Sequence, residues 1–242
     1  MEKSPDQMKK EKFKRDVKTS KILLIVFLSS LAIYISVFSL VYMISDFLVI
    51  LGFSMILIGP AYISNAMMVF TNDGYPIDQG KKFIDGKRLF GRTKTRGGFI
   101  GGIIFGFIVS FVINIIFYYA YPSIEDFAKT QLNFLEYIDI EYLRNFLSPA
   151  PYLILVRAIF CGVSAPVGDL TKSFIKRRFS FQSGQPFWIA DQLDFILMTF
   201  LLNFAWFPLD VYMFLLLILM SPSVSFTANT VAYIIGKKTE PW

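Results

Sequence analysis

The chain has 242 residues, 55% of them hydrophobic, 17% aromatic and 17% charged, with a mean hydropathy of +0.54 and a formal net charge of +6. A soluble domain of this length cannot hide so much apolar side chain. The apolar residues also fall in long blocks near the 20 residues that a helix needs to cross a bilayer. The single cysteine, Cys161, and the lack of histidine exclude an internal disulfide framework, a histidine-based triad and a histidine-ligated zinc site; carboxylates, amines, guanidinium groups and a hard, oxygen-liking metal remain as the available chemistry.

The opening segment, MEKSPDQMKKEKFKRDVKTSK, is charged and lacks signal-peptide character, because the apolar run after it is too long and has no small-residue cleavage site. It reads as a disordered cytoplasmic tail that helps to fix topology. Six spans are expected beyond it, at 22–45, 47–70, 98–121, 149–168, 190–208 and 211–235, with turns at Asp46 and at Pro208, Leu209 and Asp210. With the N-terminus inside, segments 1–21, 71–97, 169–189 and 236–242 hold 21 of the 24 Lys and Arg residues, as the positive-inside rule asks. The outside loop 122–149 carries Glu125, Asp126, Glu136, Asp139 and Glu141 against Lys129 and Arg144. The expected fold is therefore an all-α integral membrane bundle of about six transmembrane helices, with both termini in the cytoplasm.

Within the second span, Asn65 is a polar residue open to a structural hydrogen bond or to contact with a ligand. In the loop 71–97, Asp78, Lys81, Asp85, Arg88, Lys94, Thr95 and Arg96 mix acid, base and hydroxyl around Gly80, Gly86, Gly91 and Gly97. Glycines let backbone amides approach phosphate oxygens and bases neutralise them, although a merely solvated basic loop would look the same. It is not a Walker loop, because Thr93 stands where glycine is needed before Lys94 and Thr95. Gly98, Gly102 and Gly106 repeat every four residues, the pattern of close helix packing in membranes. Arg157 lies inside the fourth span, where it either pairs with a helix-end carbonyl or reaches toward a lipid phosphate.

The stretch GDLTKSFIKRRFSFQSGQPFWIADQLDF, 168–195, concentrates charge where the fourth span meets the cytoplasm. Asp169, Ser173, Lys176 and Arg177 share one helical face, and Asp191 and Asp194 project together from the start of the fifth span. A return turn through Ser183, Gly184, Gln185 and Pro186 brings the two faces together. Three converging carboxylates repel one another unless a cation separates them, and with neither histidine nor thiolate beside them Mg2+ is the natural occupant, as one ion or two. Lys176 and Arg177 complement phosphate oxygens, so the set suits phosphoryl or nucleotidyl transfer. The other account is of juxtamembrane charges that touch lipid headgroups; it fits Lys172 and Arg178, off the shared face, better than the aspartates, which do not serve positive-inside orientation.

GDLTKSFIKRR followed by DQLDF resembles the signature of the CTP-dependent cytidylyltransferases that activate lipid phosphates. The bacterial and eukaryotic CDP-diacylglycerol synthases carry a Lys-Asp pair and a histidine-glycine run between those elements. Here QSGQPFWIA stands there, as in the archaeal branch, the CDP-archaeol synthase family. GPAYISNA at 59–66, the block 76–102 and ANTVAYIIGKKTEPW at 228–242 are also similar to that family's blocks. The similarity covers about 47–242, so the resemblance implies a five-helix catalytic core, 47–242, with cytoplasmic loops 71–97 and 169–189. Preceding it, 1–46 would form a basic tail and an added helix.

The resemblance implies an integral-membrane cytidylyltransferase that joins CTP to the isoprenoid ether-lipid phosphate 2,3-bis-O-geranylgeranyl-sn-glycerol 1-phosphate, giving CDP-archaeol and pyrophosphate. Asp169, Asp191 and Asp194 would hold Mg2+, with Lys176 as a further catalytic residue. Asn65, Asp78, Lys81, Asp85, Arg88, Lys94, Thr95, Arg96, Ser173 and Arg177 would bind nucleotide and phosphate. Asn229, Tyr233 and Lys238 match a family block without an evident role beyond packing. The expected partners are CTP, the lipid phosphate and membrane lipids rather than nucleic acid. The expected place is the cell membrane, multi-pass, with the site facing the cytoplasm. The alternatives are a phosphatidate cytidylyltransferase acting on ester lipids and a membrane transporter; against the latter, the acidic residues sit at the cytoplasmic edge instead of the midplane.

Overall fold

The computed structural model describes residues 5–130, 137, 139–181, 185–207 and 209–234. Seven helices follow one another: α1 (Pro5–Val41), α2 (Ile44–Phe70), α3 (Arg96–Thr130), α4 (Ile140–Leu147), α5 (Pro151–Arg178), α6 (Ala190–Asn203) and α7 (Val211–Ile234). Two isolated bridges, Pro76 with Thr95 and Lys82 with Arg88, fold the long α2–α3 connection back on itself.

Four helical stretches are long and apolar enough to cross a membrane: Phe13–Val41, Ile44–Phe70, Arg96–Lys129 and Pro151–Arg178. The expected fifth span is shorter: helix α6 has 14 residues, about 21 Å at 1.5 Å per residue. The sixth is close to the expected 211–235, since α7 has 24 residues, with an apolar stretch over Val211–Thr227. Two expectations change. The charged opening segment, expected to be disordered, is helical from Pro5, since its Lys, Glu, Gln and Met residues are good helix formers and continue the turns of the apolar stretch. The expected outer loop is also shorter, because α3 runs on to Thr130 and α4 follows, its Asp139 N-cap accepting from the Tyr142 amide at 2.6 Å.

At the centre, α3 and α5 pack against each other and both touch α2. A Cβ on Gly106 would stand 2.9 Å from the Gly162 Cα, so the crossing of α3 and α5 needs a bare backbone on both helices. Pro166 in α5 cannot donate to the carbonyl of Gly162, and Ser64 Oγ on α2 donates to that oxygen instead, at 3.4 Å. Leu57, Ile58, Cys161, Ala165, Ile196 and Leu217 form part of a continuous core through α2, α5, α6 and α7. Helix α1 lies mainly along α7, through Phe38 on Tyr212, Phe27 on Phe226 and Phe13 on Tyr233. Those contacts place the charged end of α1 beside the last turns of α7.

Arg157 is resolved as structural. It sits in the first turns of α5, twelve residues and therefore about 18 Å from Asp169. Its Nη1 donates to Asn114 Oδ1 and to the Phe146 carbonyl, both at 2.8 Å, and the guanidinium lies between the rings of Phe146 and Phe207. A carbonyl in the last turn of α4 and two aromatic faces supply negative potential to a charge that is only 1% exposed.

Candidate active site

The last turns of α5, the first turns of α6 and the loop after α2 meet at one end of the bundle. Gly168 makes the approach possible: a Cβ there would lie 2.7 Å from the Asp194 carbonyl oxygen. With α5 and α6 in backbone contact, the carboxylates of Asp169, Asp191 and Asp194 all come within 3.4 Å of a single atom, the Nζ of Lys172. The separations are 3.4 Å to Asp169, 3.4 Å to Asp191 and 2.8 Å to Asp194. Lys172, expected to face lipid headgroups, is instead the central cation of the cluster and 16% exposed at its side chain. Its spacing of three from Asp169 carried the signal, because residues at i and i+3 are helix-surface neighbours.

Two further lysines close the cluster. Lys94 Nζ reaches both oxygens of Asp169, at 2.7 and 2.6 Å, and Lys176 Nζ reaches both oxygens of Asp191, at 3.1 and 3.2 Å. The amide of Phe187 also donates to Asp191 at 2.6 Å, fixing the turn into α6. Three carboxylates thus face three ammonium groups. Among the described residues no set of three carboxylate, thiolate or imidazole side chains is arranged to hold a metal by itself. The donors are oxygens, the type that a hard cation takes, and the point they share is occupied by the Lys172 ammonium.

The loop after α2 is built around Asp78. This buried carboxylate accepts from Arg88 Nε at 3.1 Å and Nη2 at 2.5 Å, and from the amides of Gly80 and Phe90 at 3.0 and 3.1 Å. Burial alone would raise its pKa, but Arg88 and the two amides outweigh that and hold it below the usual carboxylate value. The pairing with Asp78 likewise raises Arg88 above its usual value, against the opposing effect of burial. Asp78 and Arg88 therefore satisfy each other within the loop. Arg178, expected at the headgroups, instead ties the loop to α5: it pairs with Asp85 at 2.8 Å, donates to the Arg88 carbonyl and stacks against Phe83 and Phe174. Its loop partners are some 90 residues away, so no local spacing could show them.

Ser173 is buried and accepts from the Gly91 amide at 2.9 Å, a second tie between loop and helix. Thr95 caps α3 by accepting from the Gly98 amide at 3.2 Å, and it donates to Asn72 at 2.7 Å. Lys81 and Arg96 are exposed on the loop. The Arg177 Nε is buried without a hydrogen-bond partner. Ser183, Gly184 and Lys238 lie outside the described residues, as does the side chain of Asn229, while Tyr233 packs on Phe13.

Two cavities of different character meet at the carboxylate–lysine cluster. One, about 250 Å3, is the more polar, lined by Asn65, Asn72, Lys94, Thr95 and Asp169 beside apolar residues such as Met68, Val69 and Phe99. The other, about 740 Å3, runs between α5, α6 and α7, lined by apolar residues such as Ile175, Leu197, Phe200, Leu201 and Phe214, and reaches the cluster at Lys172 and Asp194. Asp169 faces the first and Asp194 the second, with the Lys172 ammonium between them. Sequence reasoning missed Lys172 and Asn72; the latter, just past the end of α2, carries no motif that marks it.

Comparisons with known proteins identify the family and the fold. The family model described as CarS-like, CDP-archaeol synthase, matches residues 46–242. The CDP-archaeol synthase of Methanococcus maripaludis strain S2 is 34% identical over 81% of this chain and 99% of its own length. That of Methanocaldococcus jannaschii is 32% identical over 76% of this chain and 92% of its own. A solved intramembrane enzyme for archaeal membrane lipid biosynthesis shares the fold with a TM-score of 0.51, at 24% identity over 74% of this chain and 92% of that one.

Proposed function

This chain belongs to the CDP-archaeol synthase family, and we propose that it transfers the cytidylyl group of CTP to 2,3-bis-O-geranylgeranyl-sn-glycerol 1-phosphate where its two cavities meet. The observation that carries the reading is that junction. A reaction between a water-borne nucleotide and a bilayer-borne phosphate needs a polar pocket and an apolar one with a charged reaction centre between them, and the cluster of Asp169, Lys172, Asp191 and Asp194 lies between two such spaces.

The polar cavity takes part of the nucleotide. Asn65 and Asn72 offer amide groups to base or ribose, and Lys94 lies beside the triphosphate, with Lys81 and Arg96 exposed nearby on the loop. The apolar cavity takes the head-proximal part of the isoprenoid chains; its volume is within the range of ligand pockets, about 300–1,000 Å3. An oxygen of the lipid phosphate attacks the α-phosphorus of CTP, the bond from that phosphorus to the bridging oxygen of the β-phosphate breaks, and pyrophosphate leaves. No side-chain base is required, because the attacking phosphate is already anionic near neutral pH. Lys94 and Lys176 offset negative charge that gathers on the phosphates, and the loop, pinned by Ser173 and Arg178, keeps the donor side in place. Asp169, Asp191 and Asp194 would hold one or two Mg2+ ions, which supply further neutralisation of phosphate charge.

In this reading both chain ends and the site face the cytoplasm and the chain crosses the membrane several times. Support comes from the concentration of Lys and Arg in 1–21, 71–97 and 169–189, whose described residues lie at the site's end of the bundle, with Glu125, Lys129 and Arg144 paired at the opposite end. The test is transfer of label from α-phosphate-labelled CTP into the organic phase by purified protein with Mg2+ and the unsaturated archaeal lipid phosphate. Asp191→Asn and Asp194→Asn are expected to reduce transfer to background while the protein still inserts and folds. Full activity in both variants would remove the carboxylates from the reaction, and faster transfer to phosphatidate would reassign the acceptor to ester lipids.

A further inference from the structure

Resting on that division of labour, we propose that Lys172 is the residue that receives the phosphate of the lipid acceptor and selects phosphorylated lipids over their uncharged counterparts. The cavity that suits the chains is apolar along its length, and among its described lining residues Lys172 is the only cation. Its other charged lining residues are Asp194 and Asp210. Asp210 is already held by the Tyr137 hydroxyl and the Tyr212 amide. A phosphate drawn in with two apolar chains therefore comes beside the Asp194 carboxylate and is repelled unless Lys172, 2.8 Å from that carboxylate, receives it.

The competing cations are directed elsewhere. Lys94 grips both oxygens of Asp169 and lines the polar cavity, and Lys176 grips both oxygens of Asp191; neither lines the apolar cavity. Lys172 is bound differently. Its ammonium has three N–H donors, and only the contact with Asp194, at 2.8 Å, has hydrogen-bond length, whereas those with Asp169 and Asp191 are at 3.4 Å. It can thus take a phosphate oxygen from the cavity side without breaking its closest ion pair. The same position explains selectivity: a diether glycerol without phosphate would fill the apolar wall but leave the ammonium with no new partner.

The test uses the full chain in nanodiscs of zwitterionic lipid, without CTP or Mg2+. Two radiolabelled probes are compared: a 2,3-dialkylglycerol 1-phosphate and the same diether lacking the phosphate. The wild type is expected to prefer the phosphorylated probe by about tenfold or more, the scale of one charge-assisted hydrogen bond. Lys172→Met should erase that preference while costing CTP binding less than lipid-phosphate binding, and Lys172→Arg should retain it. Equal losses of CTP and lipid binding in Lys172→Met would make Lys172 a structural counter-ion and overturn the proposal. A second measurement needs no variant: a phosphorylated probe that carries a photoreactive diazirine beside its phosphate should cross-link to Lys172 in the wild type, read by mass spectrometry, and the same diether without the phosphate should not. Cross-links confined to residues other than Lys172 would also overturn it. Phosphate preference at Lys172 in a protein that transfers no cytidylyl group would sink the proposed reaction and leave this inference standing.

Discussion

At the residue scale, two buried carboxylates do different work. Asp194 faces a cavity and a shared ammonium, whereas Asp78 is enclosed by Arg88 and two amides and holds the loop in shape. Asp78→Asn should therefore loosen the loop by about 2 kcal/mol, the cost of leaving a buried hydrogen-bond set half-made. Hydrogen exchange at Lys81 and Leu89 would rise, and CTP affinity would fall more than lipid affinity. The pH dependence has a defined sign. Because the folded-state pKa of Asp78 lies below its ordinary value of 3.8, the pair's contribution is complete above that value and is lost as pH falls through the lower folded one. Wild-type loop protection should thus hold at pH 5 and fall only below about 4, whereas Asp78→Asn should show no such step. A loop that opens between pH 6 and 5 in the wild type would contradict this assignment. Spacing along α5 pointed to Asp169, Ser173 and Lys176, and the structure adds Lys172, only about 60° round the helix from Asp169. A four-carbon stem reaches that far, so judging a lysine by the angle of its Cα understates where its charge can go.

At the scale of elements, the long apolar helices α2, α3 and α5 were legible because apolar runs of their length have few other uses. The ends of elements were less so. Helix α3 continues past its expected end, α4 lies in what reads as a polar loop, and α6 stops after 14 residues. The packing in this region is not local in sequence: Arg157 joins the Phe146 carbonyl at the end of α4 to Asn114 on α3, 43 residues away. The α5–α6 contact at Gly168 is where element geometry becomes chemistry. A larger side chain there cannot fit at 2.7 Å from the Asp194 carbonyl without moving one helix. Gly168→Val should lower kcat by about a hundredfold, the effect of displacing reacting groups by about 1 Å. Gly168→Ala should do less, and CTP affinity should survive in both, because Asn65, Asn72 and Lys94 lie on other elements. Steady-state kinetics beside CTP binding separate these effects. Normal kcat in Gly168→Val would show that the carboxylates need not be held this closely.

At the scale of the whole molecule, charge is divided between the two ends of the bundle, and that division is what turns a helical bundle into an enzyme working at an interface. The cluster and its loop lie at one end, and the Glu125 pairs lie at the other with the Tyr137–Asp210 contact. Helix α1 precedes the matched family region and packs chiefly on α7, so it extends the bundle along that helix. The chain also allows a clean test of its orientation, because its one cysteine, Cys161, is fully buried and should not react with polar thiol reagents. Ile84→Cys introduces a thiol at a loop position that is 94% exposed, and Asp126→Cys does so near the far end of α3, also at an exposed position. In sealed inside-out vesicles a membrane-impermeant maleimide should label Ile84→Cys and leave Asp126→Cys untouched; in right-side-out vesicles the pattern should reverse. Labelling of both from one side would mean that α3 does not cross the bilayer. The reverse pattern would put the cluster on the outer surface, away from cytoplasmic CTP.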